Sequence, residues 1–515
     1  MRFIRLLSHS TISRFKLDPN YAFKCGIEIH TQLKTKYKLF SLSPTTTSSH
    51  IVPPNSSISY FDIGLLGTQP KLNPEALLLA LKLAAALGCE VQTTSAFDRK
   101  HYMYPDQPLG YQITQHYHPI AKNGSLTLRS GVDDEGNYRL DADKCINIEQ
   151  LQIEQDTGKS IYTDDDEIKI DYNRANMPLV ELVTKPDFEN FTQIRCFLRK
   201  YQQLVKYLNI CSGDMENGAI RVDVNISVNG GNRVEIKNLG STTEIKQALR
   251  YEYKRQIQLL QVNITVSQET RGWNGTETVK ARSKEDAVDY RYVPDSELSQ
   301  IYLSPTIAKE IYDEIEPQLP ERVLQKLVLS PYDLEVKHAK FLLDNNDNVL
   351  PYYFQLVEAV GARDPHIKCT TINNWMFHEV LGSFHKNNQI FDINVLPFDK
   401  LASLITLVNG HDSRLTLTSA RVLLTHVISN PGDARPLDAL IEELDLEKPR
   451  DVSEHDILEA VQEICLEIIE QNPDVVKKIR AGKAKSINHL VGLAMKESQG
   501  KVKSSLFLQT FQRLI

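Results

Sequence analysis

The sequence predicts an α+β chain: a mixed, largely antiparallel sheet domain, then an all-α helical domain, then a small helical tail. Three observations predict it. Between Phe23 and about Pro294, short alternating segments recur between turns and a few helices. After Asp289-Tyr290-Arg291-Tyr292-Val293-Pro294 that alternation largely stops, and from Ser304 onward helices of ordinary length follow one another between Pro, Gly and Asn signals. The last stretch, Val475 to Ile515, is helical in pattern and rich in lysine. At 515 residues the chain is too long for one core, so two to four domains are expected.

Taken in order, Met1 to Leu17 carries Arg2, Arg5, Arg14 and Lys16, several hydroxyl residues and no acid. That composition predicts a mitochondrial transit peptide over residues 1–17. Gly26 to His30 alternates as a strand, which sets Glu28 and His30 on one face, where a carboxylate and an imidazole can share a divalent cation, though His30 fits a satisfied core histidine equally well. Asn73, Pro74 and Gly88 bracket an apolar run, Ala76 to Leu87, with the cap, first-turn proline and stop of a buried helix. Lys82 interrupts that run, and it is too short to span a bilayer.

Leu151 to Asp187 gathers Glu154, Asp156, Lys159, Arg174 and Glu181 among turn signals and two strand-like runs, Glu167 to Tyr172 and Leu179 to Thr184. It is a plausible site for metal and phosphate chemistry, but taken alone an acidic, solvated loop is the plainer reading. Ala219 to Val228 is a half-buried strand by its alternation, and Asn229-Gly230-Gly231-Asn232 turns it into a second strand from Arg233 to Lys237. The polar face of this hairpin, with Arg221, Asp223 and Asn225, either lines a cleft or faces water; the pattern by itself favours water. Ser241-Thr242-Thr243-Glu244 opens a helix with a capping box.

A net charge of −7 argues against general electrostatic binding to nucleic acid, so any such contact is regional. The basic cluster Lys477, Lys478, Arg480, Lys483 and Lys485 is the candidate region, with a solvated helix face as the plainer reading. Seven cysteines, odd in number and without a CxxC pair, read as reduced thiols. Gly158-Lys159-Ser160 lacks the upstream glycine of a P-loop, since Ile153 stands there. His378 and His385 are seven residues apart, about two helical turns or roughly 10 Å, so they cannot share a zinc. No GxSxG elbow or dinucleotide fingerprint occurs.

Seven segments in order, GIEIHTQL, FDRKHYMYPDQPLGYQITQ, IEQDTGKS, DYNRANMPLVELVTKPD, MENGAIRVDVNISV, VEIKNLGSTTEI and DYRYVPD, resemble the B-subunit family of glutamyl-tRNA(Gln) amidotransferases. The C-terminal AGKAKSINHLVGLAMKESQGK resembles that family's tail. The resemblance implies a catalytic cradle domain over 21–298, a helical domain over 299–448 and a tRNA-binding helical tail over 449–515, YqeY-like with the helices before it. It implies ATP-dependent activation of the γ-carboxylate of Glu-tRNA(Gln), followed by amidation with ammonia from a partner glutaminase, the A-type component of the complex. A small third component, C-type or fungal F-type, completes the complex, in the mitochondrial matrix. Phosphoryl transfer asks mainly for positioning, metal and positive charge, so no nucleophile is required in this chain.

By motif position, the resemblance assigns magnesium to His30 and Glu181, with Glu28, Glu154 and Gln155 as further members of the shell. Gln155 stands where many members carry a second glutamate; an amide oxygen can still bind magnesium, but it adds no negative charge and cannot act as a base. Lys100 joins the catalytic set, and Arg99, Lys159 and Arg174 are candidates to hold phosphates or the substrate carboxylate, with a structural ion pair as the alternative for each. Ser41, Ser43, Ser59 and Asp62 stand where some members hold zinc, so none is expected. Two alternatives stay open: a tRNA-docking scaffold without catalysis, and the same chemistry on Asp-tRNA(Asn).

Overall fold

The alternation between Ile220 and Val228 becomes a strand whose Ile and Val side chains are buried and whose intervening residues are half-buried. It lies inside a nine-stranded sheet. In chain order the strands are β1 (Phe23–Gln32), β2 (Glu90–Val91), β3 (Ala121–Leu128), β4 (Lys144–Gln155), β5 (Pro178–Thr184), β6 (Ile220–Val228), β7 (Val234–Leu239), β8 (Glu269–Trp273) and β9 (Thr278–Lys280). Across the sheet they run β9-β8-β7-β6-β1-β5-β4-β3-β2, and only β7 with β8 is parallel. Asn229 (φ +53°) and Gly230 (φ +68°) form the β6–β7 turn, closed by the Gly231 N–H on the Val228 carbonyl. Two positive φ values match the twist of the flanking strands, which explains the Asn-Gly pair.

This computed structural model describes residues 16–46, 52–163, 167–281, 290–345, 347–433, 435–448, 454–480, 486–498 and 502–515. Most of the expected transit peptide, and Lys483 and Lys485 of the basic tail, lie outside the described residues. The chain forms two units, Met1–Val323 and Leu324–Ile515.

In the first unit one face of the sheet is sealed by helices. Ile27, Ile29, Val222, Val224, Ile153 and Leu182 share one core with α1 (Pro74–Ala86), α2 (Phe191–Tyr207), α3 (Thr242–Gln261) and α4 (Ile307–Ile315). Ile311 and Ile315 of α4 belong to it, so this core reaches past Leu298. Local signals set the helix ends: the Glu75 N–H donates to Asn73 at the start of α1, and Gly88 (φ +62°) follows its end. At α3 the Glu244 N–H donates to Ser241, while the Glu244 carboxylate accepts from Gly240 N–H instead of from the cap residue itself.

A buried ion pair holds the loops before α1. Lys38 Nζ lies 3.1 Å from Asp62, both side chains fully buried, and Asp62 also accepts from Ser59 N–H and Asn176. Asp62, one of the four positions that the resemblance matches to a zinc site, has its oxygens bonded to an ammonium and two amides.

The second unit is helical. Its last helices, Glu454–Gln471, Pro473–Arg480, Ile487–Glu497 and Ser504–Leu514, bury a cluster that includes Val461, Cys465, Leu490, Phe507 and Phe511. No helix among the described residues is long and apolar enough to cross a membrane. All seven cysteines are free. Burial pushes the Cys89 thiol up to about 12, which leaves it inert at neutral pH.

Candidate active site

The face of the sheet opposite the α1–α3 core carries the polar members of β1, β5 and β6. Antiparallel register sets His30 of β1 opposite Glu181 on β5 and Arg221 on β6, and sets Glu28 opposite Asp223. Three strands thereby bring together side chains that are distant in sequence. Glu154, near the end of β4, joins them: His30 Nε2 is 3.3 Å from Glu154 and 3.9 Å from Glu181. Donor atoms of His30, Glu154 and Glu181 all lie within 4.8 Å of one another. Gln152 donates to Glu181 and Thr114 to Glu154, which orients both carboxylates. The group lines a cavity of about 430 Å³, together with Lys100, Arg221, Asp223 and Lys237.

The charged groups in this cavity act strongly on one another. Burial and the neighbouring Glu154 charge push the Glu181 carboxyl up. Burial opposes ionisation of Glu154 too, but its hydrogen bond with His30 more than offsets this and holds it down. Burial pulls the His30 imidazole down, while the Glu154 bond and the Glu181 charge raise it to about 9. An imidazolium between two carboxylates therefore occupies the electrostatic place of a cation. Arg221 is held firmly charged by Asp156, 2.8 Å away. One imidazole nitrogen and two carboxylates suit a divalent ion that completes its shell with water or phosphate oxygens, so the residues present fit magnesium.

A second acidic group adjoins the first. Glu28, Asp223 and Glu235 have carboxylate oxygens within 4.8 Å of one another. Asn225 donates to Glu28 at 2.9 Å, and Lys237 lies 3.5 Å from Glu235. Burial, then Glu235, raises the Glu28 carboxyl.

Of the residues expected from sequence, the cavity collects Glu28, His30, Lys100, Glu154 and Glu181. Gln155 does not line it. Strand alternation turns Gln155 to the face opposite Glu154, where it is buried and its Oε1 has no hydrogen-bond partner among the described residues. Glu154 is thus the carboxylate that meets His30, and Gln155 is not in the ligand group. Arg99 also lies outside the cavity: its Nε bonds the buried Asp295 at 2.7 Å and its guanidinium stacks 4.4 Å from the Tyr111 ring centre. Arg174 donates to the Thr157 and Gly158 carbonyls and so braces the turn after β4. Lys159 is exposed at the start of a short hairpin strand, Lys159–Tyr162. Sequence reasoning left Arg221 and Asp223 undecided between cleft and solvent; the structure puts both in the cavity. In the tail, Lys477, Lys478 and Arg480 are exposed on helix Pro473–Arg480, while Val476 of that helix is buried.

A polar cavity in which an imidazole, two glutamates, a lysine and an arginine converge suits a class of enzyme that activates a substrate by charge and positioning. Comparison with known proteins narrows the class. Residues 23–309 match the family described as the GatB/GatE catalytic domain, and residues 355–515 match the GatB domain family. The mitochondrial glutamyl-tRNA(Gln) amidotransferase B subunit of Scheffersomyces stipitis is 59% identical, with 100% of each chain covered. Proteins of the same name from Debaryomyces hansenii and Candida dubliniensis are 56% and 52% identical, covering 98% of this chain and 96% and 94% of their own lengths. The chain belongs to the GatB/GatE family of amidotransferase subunits.

Proposed function

We propose that this chain is the B-type component of a mitochondrial amidotransferase complex that converts Glu-tRNA(Gln) to Gln-tRNA(Gln) in the matrix. It activates the γ-carboxylate with ATP, and ammonia then displaces the phosphate from the acyl phosphate. The single observation that carries the reading is the convergence of His30, Glu154 and Glu181 within 4.8 Å, in a cavity shared with Lys100 and Arg221. Full-length identity to proteins named for this reaction supports it.

His30, Glu154 and Glu181 would hold magnesium, with the His30 proton released as the ion binds. Bound there, the ion supplies positive charge to phosphate oxygens. Lys100, and Arg221 held by Asp156, add positive charge for the phosphates and for the carboxylate that attacks the γ-phosphate of ATP and displaces ADP, a carboxylate whose own charge the pocket's acids repel. Gln152 and Thr114 keep the two glutamates oriented. Ammonia arrives from the partner glutaminase, the A-type component, and a small third component, C-type or fungal F-type, completes the complex. Exposed Lys477, Lys478 and Arg480 take tRNA phosphates, a sequence-independent contact that salt weakens.

The decisive measurement is amidation of Glu-tRNA(Gln) by the purified complex with ATP, magnesium and free ammonium in place of glutamine. Product that disappears in Glu181→Ala supports the assignment. A mutant that matches wild type sinks it. Running the same assay on Asp-tRNA(Asn) tests the substrate: product there and none with Glu-tRNA(Gln) would move the chemistry to the other tRNA.

A further inference from the structure

Beside the cavity stands a ladder of aromatic rings that the activation chemistry does not use. Tyr290 and Tyr292 flank Arg291, a non-glycine residue at φ +43°. Such a conformation costs energy and persists only where its surroundings hold it, which is most often at functional sites. His101 holds it here: its backbone N–H donates to the Tyr290 carbonyl at 2.9 Å, and its ring Nδ1–H donates to the Arg291 carbonyl at 3.0 Å. With the turn so fixed, Tyr292 stacks on His116, ring centres 3.8 Å apart and planes within 10°. Tyr290 meets Tyr292 edge-on at 6.2 Å.

Two features tie the ladder to the cavity and to solvent. Lys100, which lines the cavity, sets its Nζ 4.6 Å from the Tyr290 ring centre. At the other end His116 is exposed, and its neighbour Tyr117, 4.8 Å away, is 52% exposed. Stacked rings that served only the core would be covered at both ends. This ladder runs from the chemistry to open solvent, with Lys100 set against Tyr290 at its inner end. Aromatic faces beside a cation match single-stranded nucleic acid, whose bases stack while its phosphates pair.

The geometry of the substrate selects which base. In the proposed function, on which this inference rests, the reacting carboxylate hangs by an ester from the terminal ribose of an RNA. That aminoacyl arm spans about 6 Å fully extended, from C–C bonds of about 1.5 Å, so the terminal base must lie at the rim of the cavity. A polymer end can reach only the solvent-facing side of that rim. We propose that the His116–Tyr292–Tyr290 ladder stacks the unpaired 3′-terminal base of the RNA and thereby aims its aminoacyl group at the carboxylate cavity.

The test uses the whole complex with tRNA(Gln) carrying 2-aminopurine as its 3′-terminal base, whose fluorescence is quenched on stacking. Wild type quenches it; His116→Ala and Tyr292→Leu relieve the quenching, and Tyr292→Phe, which keeps a ring, restores it. In parallel amidation assays the KM for Glu-tRNA(Gln) rises roughly tenfold in the first two variants, and the KM for ATP does not move. His116→Ala alters an exposed side chain and keeps the test informative if Tyr292→Leu folds poorly. Quenching that survives His116→Ala and Tyr292→Leu overturns the proposal. A rise in the KM for ATP alone also overturns it, because the ladder then holds the nucleotide base. Wild-type amidation without quenching overturns the ladder's role alone, whereas loss of both removes it together with the reading on which it rests.

Discussion

Glu28 and His30 project from the same face of one strand, two residues apart, yet they serve carboxylate groups of different character. Around His30, two glutamates share a titratable imidazole, and the site is balanced with a proton on that ring. Around Glu28, three carboxylates approach one another with an amide on Glu28 and a lysine at 3.5 Å from Glu235. The first group, two carboxylates around one imidazolium, can exchange that proton for a divalent ion, which cancels its remaining negative charge. The second brings three carboxylates together, and burial makes the repulsion that Glu235 and Asp223 exert on Glu28 costly. A third arrangement, the fully buried Lys38–Asp62 pair, balances its charge permanently and has no freedom to exchange. Exchangeable compensation marks chemistry, and permanent compensation marks structure.

The largest expected effect breaks the first group. His30→Ala or Glu181→Ala lowers kcat for ammonium-supported amidation by about 10²–10³-fold, while circular dichroism of the complex remains that of wild type. If either variant keeps full activity, the two acidic groups do not differ as described. Next in size is the permanent pair. Lys38→Met leaves Asp62 buried without its cation and destabilises the first unit by about 3–5 kcal/mol, read as a lower urea midpoint with an unchanged slope. Equal midpoints would mean that Ser59 and Asn176 suffice to hold the carboxylate.

The second group gives a smaller effect of opposite sign. Glu28 has its folded-state carboxyl raised, so ionising it costs stability that is absent at low pH and grows as pH rises past the ordinary glutamate range. Glu28→Gln keeps an acceptor for Asn225 and removes the repelled charge. In metal-stripped protein at neutral pH it raises Tm by about 2 °C and costs amidation less than tenfold; a lowered Tm would show that the group is compensated by something other than protons. The smallest effect lies in the other unit, where charge is exposed and compensated by solvent. Replacing Lys477, Lys478 and Arg480 with glutamine lowers the slope of log affinity for tRNA against log salt by about 2–3, as measured by filter binding, and an unchanged slope returns that helix face to plain solvent.

Much of the local structure was legible in the residues. Asn73, Pro74 and Gly88 mark both ends of α1, Ser241 and Glu244 cap α3, and Asn229-Gly230 turns β6 into β7, because each is decided by atoms within a few residues. Alternation likewise placed Glu28 and His30 on one face. The same rule separates Glu154 from Gln155, adjacent on β4 and therefore on opposite faces, so the glutamine that departs from the family pattern leaves the triad's donors intact. Arg99 and Arg174 were nominated by motif position, but charge alone cannot distinguish a guanidinium that waits for substrate from one already bound to Asp295 or to two carbonyls. Arg221 was missed as a site residue for a related reason. Alternation reveals that a strand has a polar face, and says nothing about what stands before it.

The sequence by itself determined the kinds of elements, their caps and turns, the apolar face of each strand and, through its ordered motifs, the family. Those are short-range or linear properties. Tertiary structure decided that β1 lies between β5 and β6 in the register that sets His30 opposite Glu181 and Arg221, that the polar face becomes a cavity wall instead of a solvated surface, and that Lys38 is buried against Asp62. Each of these depends on pairing and burial between segments distant along the chain. Such contacts are selected by the packing of the whole sheet and its helices, which no local pattern encodes.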